Sequence, residues 1–85
     1  MALTLLYFAR LREDLDMAEE RIAFSPALGS VSTLLDFLRQ RDERWRQVLS
    51  GERAFRVAVN QTLADPSQTI ADGDEIALFP PVTGG

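Results

Sequence analysis

The sequence predicts an α+β domain in which a mixed sheet of four to five strands is covered on one face by one main helix. Three observations lead there. Alternating apolar and polar residues mark short strands at both ends of the chain, over 3–8 and 75–79, and again over 20–24 and 55–60. Between them, Val31, Leu34, Leu35 and Leu38 fall at the i, i+3, i+4 and i+7 spacing of one helix face. A chain of 85 residues can bury only one modest core, so half-apolar strands and an amphipathic helix must cover each other.

Thr4 sets the alternation of the first strand, with Leu3, Leu5 and Tyr7 inward and Thr4, Leu6 and Phe8 outward. Residues 10–17 are polar with Leu11 and Leu15 four apart, which suits either a short helical turn or a loop. The second strand turns Ile22 and Phe24 inward and forms an antiparallel hairpin with the first. Ser25-Pro26 and Gly29 break the pattern, and Ser30 is placed to cap the main helix. A second short helix follows, with Asp42 as cap, Trp45, Val48 and Leu49 as its apolar stripe, and Gly51 as its stop. In the next strand Phe55, Val57 and Val59 share one face while Arg56, Ala58 and Asn60 share the other; Asn60 reads as a turn residue. Leu63 begins a short extended piece ending near Asp65-Pro66. Asp72-Gly73-Asp74 is a tight turn with Gly73 supplying positive φ. The last strand points Ile76 and Leu78 inward, Ala77 and Phe79 outward. The order strand, strand, helix, strand, short strand, strand is the layout of the β-grasp, or ubiquitin-like, fold. The domain is expected over residues 1–79, with residues 80–85 as an extended tail.

Composition removes whole classes of function. Apolar residues at 46% and charged residues at 26% fit a globular chain and not a disordered one. A net charge of -4 argues against nucleic acid, whose phosphates demand a basic face. The chain has no Cys, no His and no Lys; all nine basic residues are Arg. A thiolate nucleophile, the commonest general base and a Schiff-base amine are therefore absent, and a self-contained catalytic site is not expected. The start lacks a signal-like pattern, and no apolar run is long enough to span a bilayer, so a cytoplasmic protein without a membrane partner is expected. Asp72, Asp74 and Glu75 lack the spacing of a calcium loop and read as a turn with solvated charges, and Glu13, Asp14 and Asp16 as a solvated run; no metal site is expected. Trp45 reads as a partly buried anchor.

The end of the chain is the sharpest signal. It runs Phe79-Pro80-Pro81-Val82-Thr83-Gly84-Gly85. Taken alone, two terminal glycines are compatible with a frayed end. Pro80-Pro81, however, follows a strand directly and favours the stiff polyproline conformation, and six residues at about 3.1–3.4 Å each reach roughly 20 Å. Gly84 and Gly85 make the narrowest possible chain end, able to enter a tight channel. The Gly85 carboxylate is inert until adenylated, and the chain has no phosphate-binding loop, so activation must come from an ATP-using partner. Phe8, Leu63 and Phe79 lie on outward or turn-proximal positions, and together they suggest a docking surface.

The stretches Val59-Asn60-Gln61-Thr62-Leu63 and Asp72 through Gly85, supported by Leu6-Tyr7-Phe8-Ala9-Arg10-Leu11-Arg12-Glu13, closely resemble the family of small, sulfur-carrying subunits of molybdopterin synthase (the MoaD family). The resemblance spans essentially the whole chain. It implies that Gly85 is adenylated by an E1-like adenylyltransferase using ATP and magnesium, then converted to a thiocarboxylate by a sulfur donor of the cysteine desulfurase or rhodanese type. It implies further that Pro80, Pro81, Val82, Thr83 and Gly84 carry the sulfur into the large subunit, within a heterotetramer, where cyclic pyranopterin monophosphate receives it. Phe8, Leu63 and Phe79 would form the contact with partners, and no cofactor would stay on this chain. A sulfur carrier of another pathway, such as thiamine thiazole formation, and a plain ubiquitin-like interaction module are the competing readings.

Overall fold

The computed structural model describes residues 1–50 and 55–81. The elements are β1 (Ala2–Tyr7), α1 (Ala9–Leu15), β2 (Glu19–Ala23), a 3-10 turn (Pro26–Leu28), α2 (Val31–Arg39), α3 (Glu43–Ser50), β3 (Arg56–Val59), β4 (Thr62–Ala64) and β5 (Glu75–Phe79). The five strands form one sheet in the order β2-β1-β5-β3-β4. β1 and β5 run parallel, with Leu5 beside Ile76 and Tyr7 beside Leu78; the other pairs are antiparallel. This is the mixed β-grasp sheet that the pattern of the sequence predicts.

The alternation resolves into two faces. Leu3, Leu5 and Tyr7 of β1, with Ile76 and Leu78 of β5, are all at 1% exposure or below and meet the α2 stripe of Val31, Leu34, Leu35 and Leu38. Each large side chain buried in this way stabilises the fold by about 1.5–3 kcal/mol. Ser30 begins α2 with a capping box: its Oγ accepts from the Thr33 amide, and Thr33 Oγ1 accepts from the Ser30 amide.

The cover is broader than one helix. Residues 9–15 choose the helical alternative, and Leu11 and Leu15 are buried. In α3 the Trp45 amide donates to Asp42 Oδ1, as the cap predicts, and Trp45 and Leu49 enter the core. Trp45 is 6% exposed, deeper than the partly buried anchor expected of it, because Tyr7 and Arg41 close over its ring. The expected stop at Gly51 lies outside the described residues.

The turns carry their own signatures. Asn60 (φ 49°) and Gln61 (φ 70°) make the two-residue connection between β3 and β4, a twist-matched turn with both centres left-handed. Gly73 has φ 90°, as its place in the tight turn requires. The Asn60 side chain joins these two turns. Its Nδ2 donates to Asp74 Oδ1 and its Oδ1 accepts from the Glu75 amide, while Asp74 Oδ2 accepts from the Ala71 amide. Two motif segments that are distant in sequence thus meet at the start of β5.

Candidate functional site

The face of the sheet away from the helices is built from the other half of the alternation. Strand register sets Leu6, Ala77, Ala58 and Leu63 in one row across β1, β5, β3 and β4. The next row toward the end of β5 holds Phe79 opposite Arg56. The Phe8 amide donates to the Leu78 carbonyl at 3.1 Å, which extends the parallel ladder and sets Phe8 beside Phe79. Phe8 is 45% exposed and Leu63 62%, while Phe79 is half-buried.

The three apolar residues picked from the sequence are thus arranged unevenly. Phe8 and Phe79 are neighbours across the parallel pair. Leu63 stands three strand spacings from β1, about 14 Å, and is joined to the aromatic pair only through Leu6, Ala77 and Ala58. Those linking residues were outward by alternation but did not stand out, since strand order and register decide which outward residues share a row. Ala58 is only 8% exposed although it lies on this outer face; it sits in register between Ala77 and Leu63 and takes no part in the core cluster.

Pro80 and Pro81 follow β5 directly and are half-buried, so the tail begins at the edge of the Phe8–Phe79 pair. The remaining tail residues singled out above, Val82, Thr83, Gly84 and Gly85, lie outside the described residues.

Behind this face stands a polar cluster without a clear sequence signal. Tyr7 OH donates to Glu20 Oε2 at 2.7 Å, and Arg41 grips both Glu20 oxygens at 2.7 and 2.8 Å. The guanidinium carbon stacks 4.6 Å from the Trp45 ring, and Trp45 meets Tyr7 edge-on at 5.5 Å. Burial alone would raise the Glu20 carboxyl, but the hydrogen bonds from Arg41 and Tyr7 and the Arg41 charge outweigh it and hold the group below its ordinary value. Burial, then the contact with Glu20, pushes the Tyr7 phenol up. The bond to Glu20 raises Arg41 in turn. Only the Glu20 position in β2 hints at this pair; Arg41, 21 residues on, carries no local mark of it. The cluster fixes the residue immediately before Phe8, and Ala9 immediately after it is held at φ 52°, so the backbone on both sides of Phe8 is tightly specified. Among the described residues no group of His, Cys, Asp or Glu is arranged to hold a metal ion, and no helix is long and apolar enough to cross a membrane.

Residues 5–85 match the ThiS family. The chain belongs to that family. It is 35% identical over 83 residues to the molybdopterin synthase sulfur carrier subunit of Haemophilus influenzae, covering 98% of this chain and 99% of the relative. Among solved structures it resembles SAMP1 from Haloferax volcanii at a TM-score of 0.79 and 28% identity, with both chains covered completely. It also resembles a chain in the complex of subunits 1 and 2 of the molybdopterin-converting factor from Helicobacter pylori, at a TM-score of 0.68 and 26% identity, again with both chains fully covered.

Proposed function

We propose that this chain is the sulfur carrier subunit of a molybdopterin synthase. One observation carries the reading: a tail ending in Gly84-Gly85 starts from β5 beside an exposed apolar face, on a chain with no Cys, His or Lys of its own. Such a molecule can present a carboxylate but cannot activate it. Full-length relatives named as molybdopterin synthase sulfur carrier subunits support the choice of pathway over the thiamine type, and the likeness to the Helicobacter pylori complex supports a large-subunit partner.

In this reading the Gly85 carboxylate attacks the α-phosphorus of ATP on an E1-like partner, and pyrophosphate leaves. The outer sulfur of a donor persulfide then attacks the carbonyl carbon and AMP leaves, and a thiol cleaves the resulting acyl disulfide, becoming a disulfide itself and leaving a thiocarboxylate. Pro80 and Pro81 direct the tail, Val82 and Thr83 extend it, and Gly84 gives clearance in the partner's channel. Phe8, Phe79 and Leu63, with Leu6 and Ala77 between them, hold the body against the partner. ATP and magnesium stay with the activating enzyme, and the pterin with the large subunit.

Co-expression with an activating enzyme and a sulfur source tests the proposal by intact mass. The expected result is a gain equal to the exchange of one oxygen for one sulfur at Gly85. An unchanged mass with an intact terminus overturns it. Which large subunit copurifies separates the molybdopterin pathway from the thiamine one.

A further inference from the structure

An acyl group activated at a chain end reacts with the nearest competent nucleophile, and on a protein surface at neutral pH those are the Cys thiolate, the Lys amine and the His imidazole. This chain of 85 residues contains none of the three. Cationic charge is nonetheless retained, in nine side chains that are all Arg. A guanidinium stays protonated and has no free electron pair to offer.

At some positions the guanidinium fork itself is used. Arg41 holds both oxygens of Glu20, Arg39 bridges Asp36 and the Leu49 carbonyl, and Arg46 pairs with Glu43. Arg56 is different. It is exposed on β3, opposite Phe79 and so at the base of the tail, and its side chain has no hydrogen-bonding or ionic partner among the described residues. A Lys would serve solubility there equally well and would stand within reach of the tail.

The remaining nucleophiles are disarmed by structure. The Tyr7 hydroxyl is buried at 1% exposure, committed to Glu20 and pushed up in pKa by burial. Ser and Thr hydroxyls need a base, and there is no His to supply it. The Met1 amine is at the wrong end. Because β1 is parallel to β5, and the Gly73 amide donates to the Ala2 carbonyl, Met1 lies by the Asp72-Gly73 turn, whereas the tail starts after Phe79. Roughly 20 Å of strand separates the two, so the tail would have to double back along the sheet at full extension to meet that amine.

We propose that the body of this chain is silent toward its own activated terminus, so that the acyl group passes only to an acceptor supplied by another molecule and copies never become linked to one another through side chains. This rests on the reading of Gly85 as the activated group. In the suppressed reaction a free amine attacks the Gly85 carbonyl carbon. A carbon–nitrogen bond forms, the bond to the AMP oxygen or thiol sulfur breaks, the leaving group takes the electron pair, and the amine proton goes to solvent.

A thioester installed at Gly85 by thiol cleavage of an intein fusion tests this without any activating enzyme. Wild type and Arg56→Lys are held at mildly alkaline pH and followed by intact mass and denaturing gel. Wild type should lose its thioester by hydrolysis alone. Arg56→Lys should add an amide product, lighter than the hydrolysed chain by one water, at about tenfold or more over wild type, because a tethered amine is present at millimolar effective concentration. Comparable amide in wild type, or no excess in Arg56→Lys, overturns the inference. Failure of the sulfur-carrier reading shows separately, as a missing mass gain in the co-expression experiment.

Discussion

Replacing Glu20 by alanine removes the acceptor that joins β2 to Tyr7 and Arg41. Three hydrogen bonds are lost, one from Tyr7 OH and two from the Arg41 guanidinium. Hydrogen bonds to charged groups contribute about 1.5–3 kcal/mol when well shielded. Here the Glu20 and Arg41 side chains keep 17% and 24% of their exposure, so water takes over part of the lost pairing. Arg41 also keeps its stacking on Trp45, worth about 0.5–1 kcal/mol. The expected net loss is about 2 kcal/mol, which for a domain of this size lowers Tm by about 8–16 °C. Urea melts of Glu20→Ala, Arg41→Ala and the double variant should give a coupling energy of about 1 kcal/mol. The effect should also depend on pH. Glu20 is held below its ordinary value, so its contribution is complete above the unfolded carboxylate pKa of about 4.3 and fades as the pH falls through the lowered folded value. The wild-type advantage over Glu20→Ala should therefore be constant near neutrality and shrink in acid. A loss below about 0.5 kcal/mol, the ordinary range for surface substitutions, with no pH dependence, would refute the assignment of this cluster as a stabilising link.

Other outcomes follow from the same structure. Ala9 at φ 52° pays for a left-handed backbone that glycine adopts freely, so Ala9→Gly should raise stability by about 0.5–1 kcal/mol in a urea melt. Leu34, fully buried on the inner face of α2, should cost about 2–5 kcal/mol as Leu34→Ala, read by the same melt. Phe8→Asp and Leu63→Asp, both on the exposed outer face, should leave stability within about 0.5 kcal/mol yet weaken capture of the large subunit in a pull-down, with the larger loss at Phe8 beside the tail.

Much of the fold was legible because two periodicities carry it. The period of two in β1 and β5 and the 3.6-residue stripe of α2 each fixed an inward face that burial reproduces residue by residue. Ser30, Asp42 and Gly73 were readable because each answers a local backbone demand. Residues 9–15 stayed ambiguous since two leucines four apart carry too little pattern to choose helix over loop; packing of Leu11 and Leu15 chose it. The row Leu6-Ala77-Ala58-Leu63 was hidden because it depends on strand order, which non-local pairing sets. The Glu20–Arg41 pair was hidden for the same reason. Of the candidate site, the adjacency of Phe8 and Phe79 was legible from the neighbouring of the first and last strands, while the position of Leu63 at the far margin was not.

The two alanines at the middle of the outer row give that surface its relief. Ala58 faces Ala77 in register, with leucine on either side. Side-chain bulk therefore stands at the margins of the row and is least at its centre. That relief is set by side-chain volume at the two central positions, so a valine at either would add bulk there and recontour the surface, with the shielded Ala58 the less tolerant of the two.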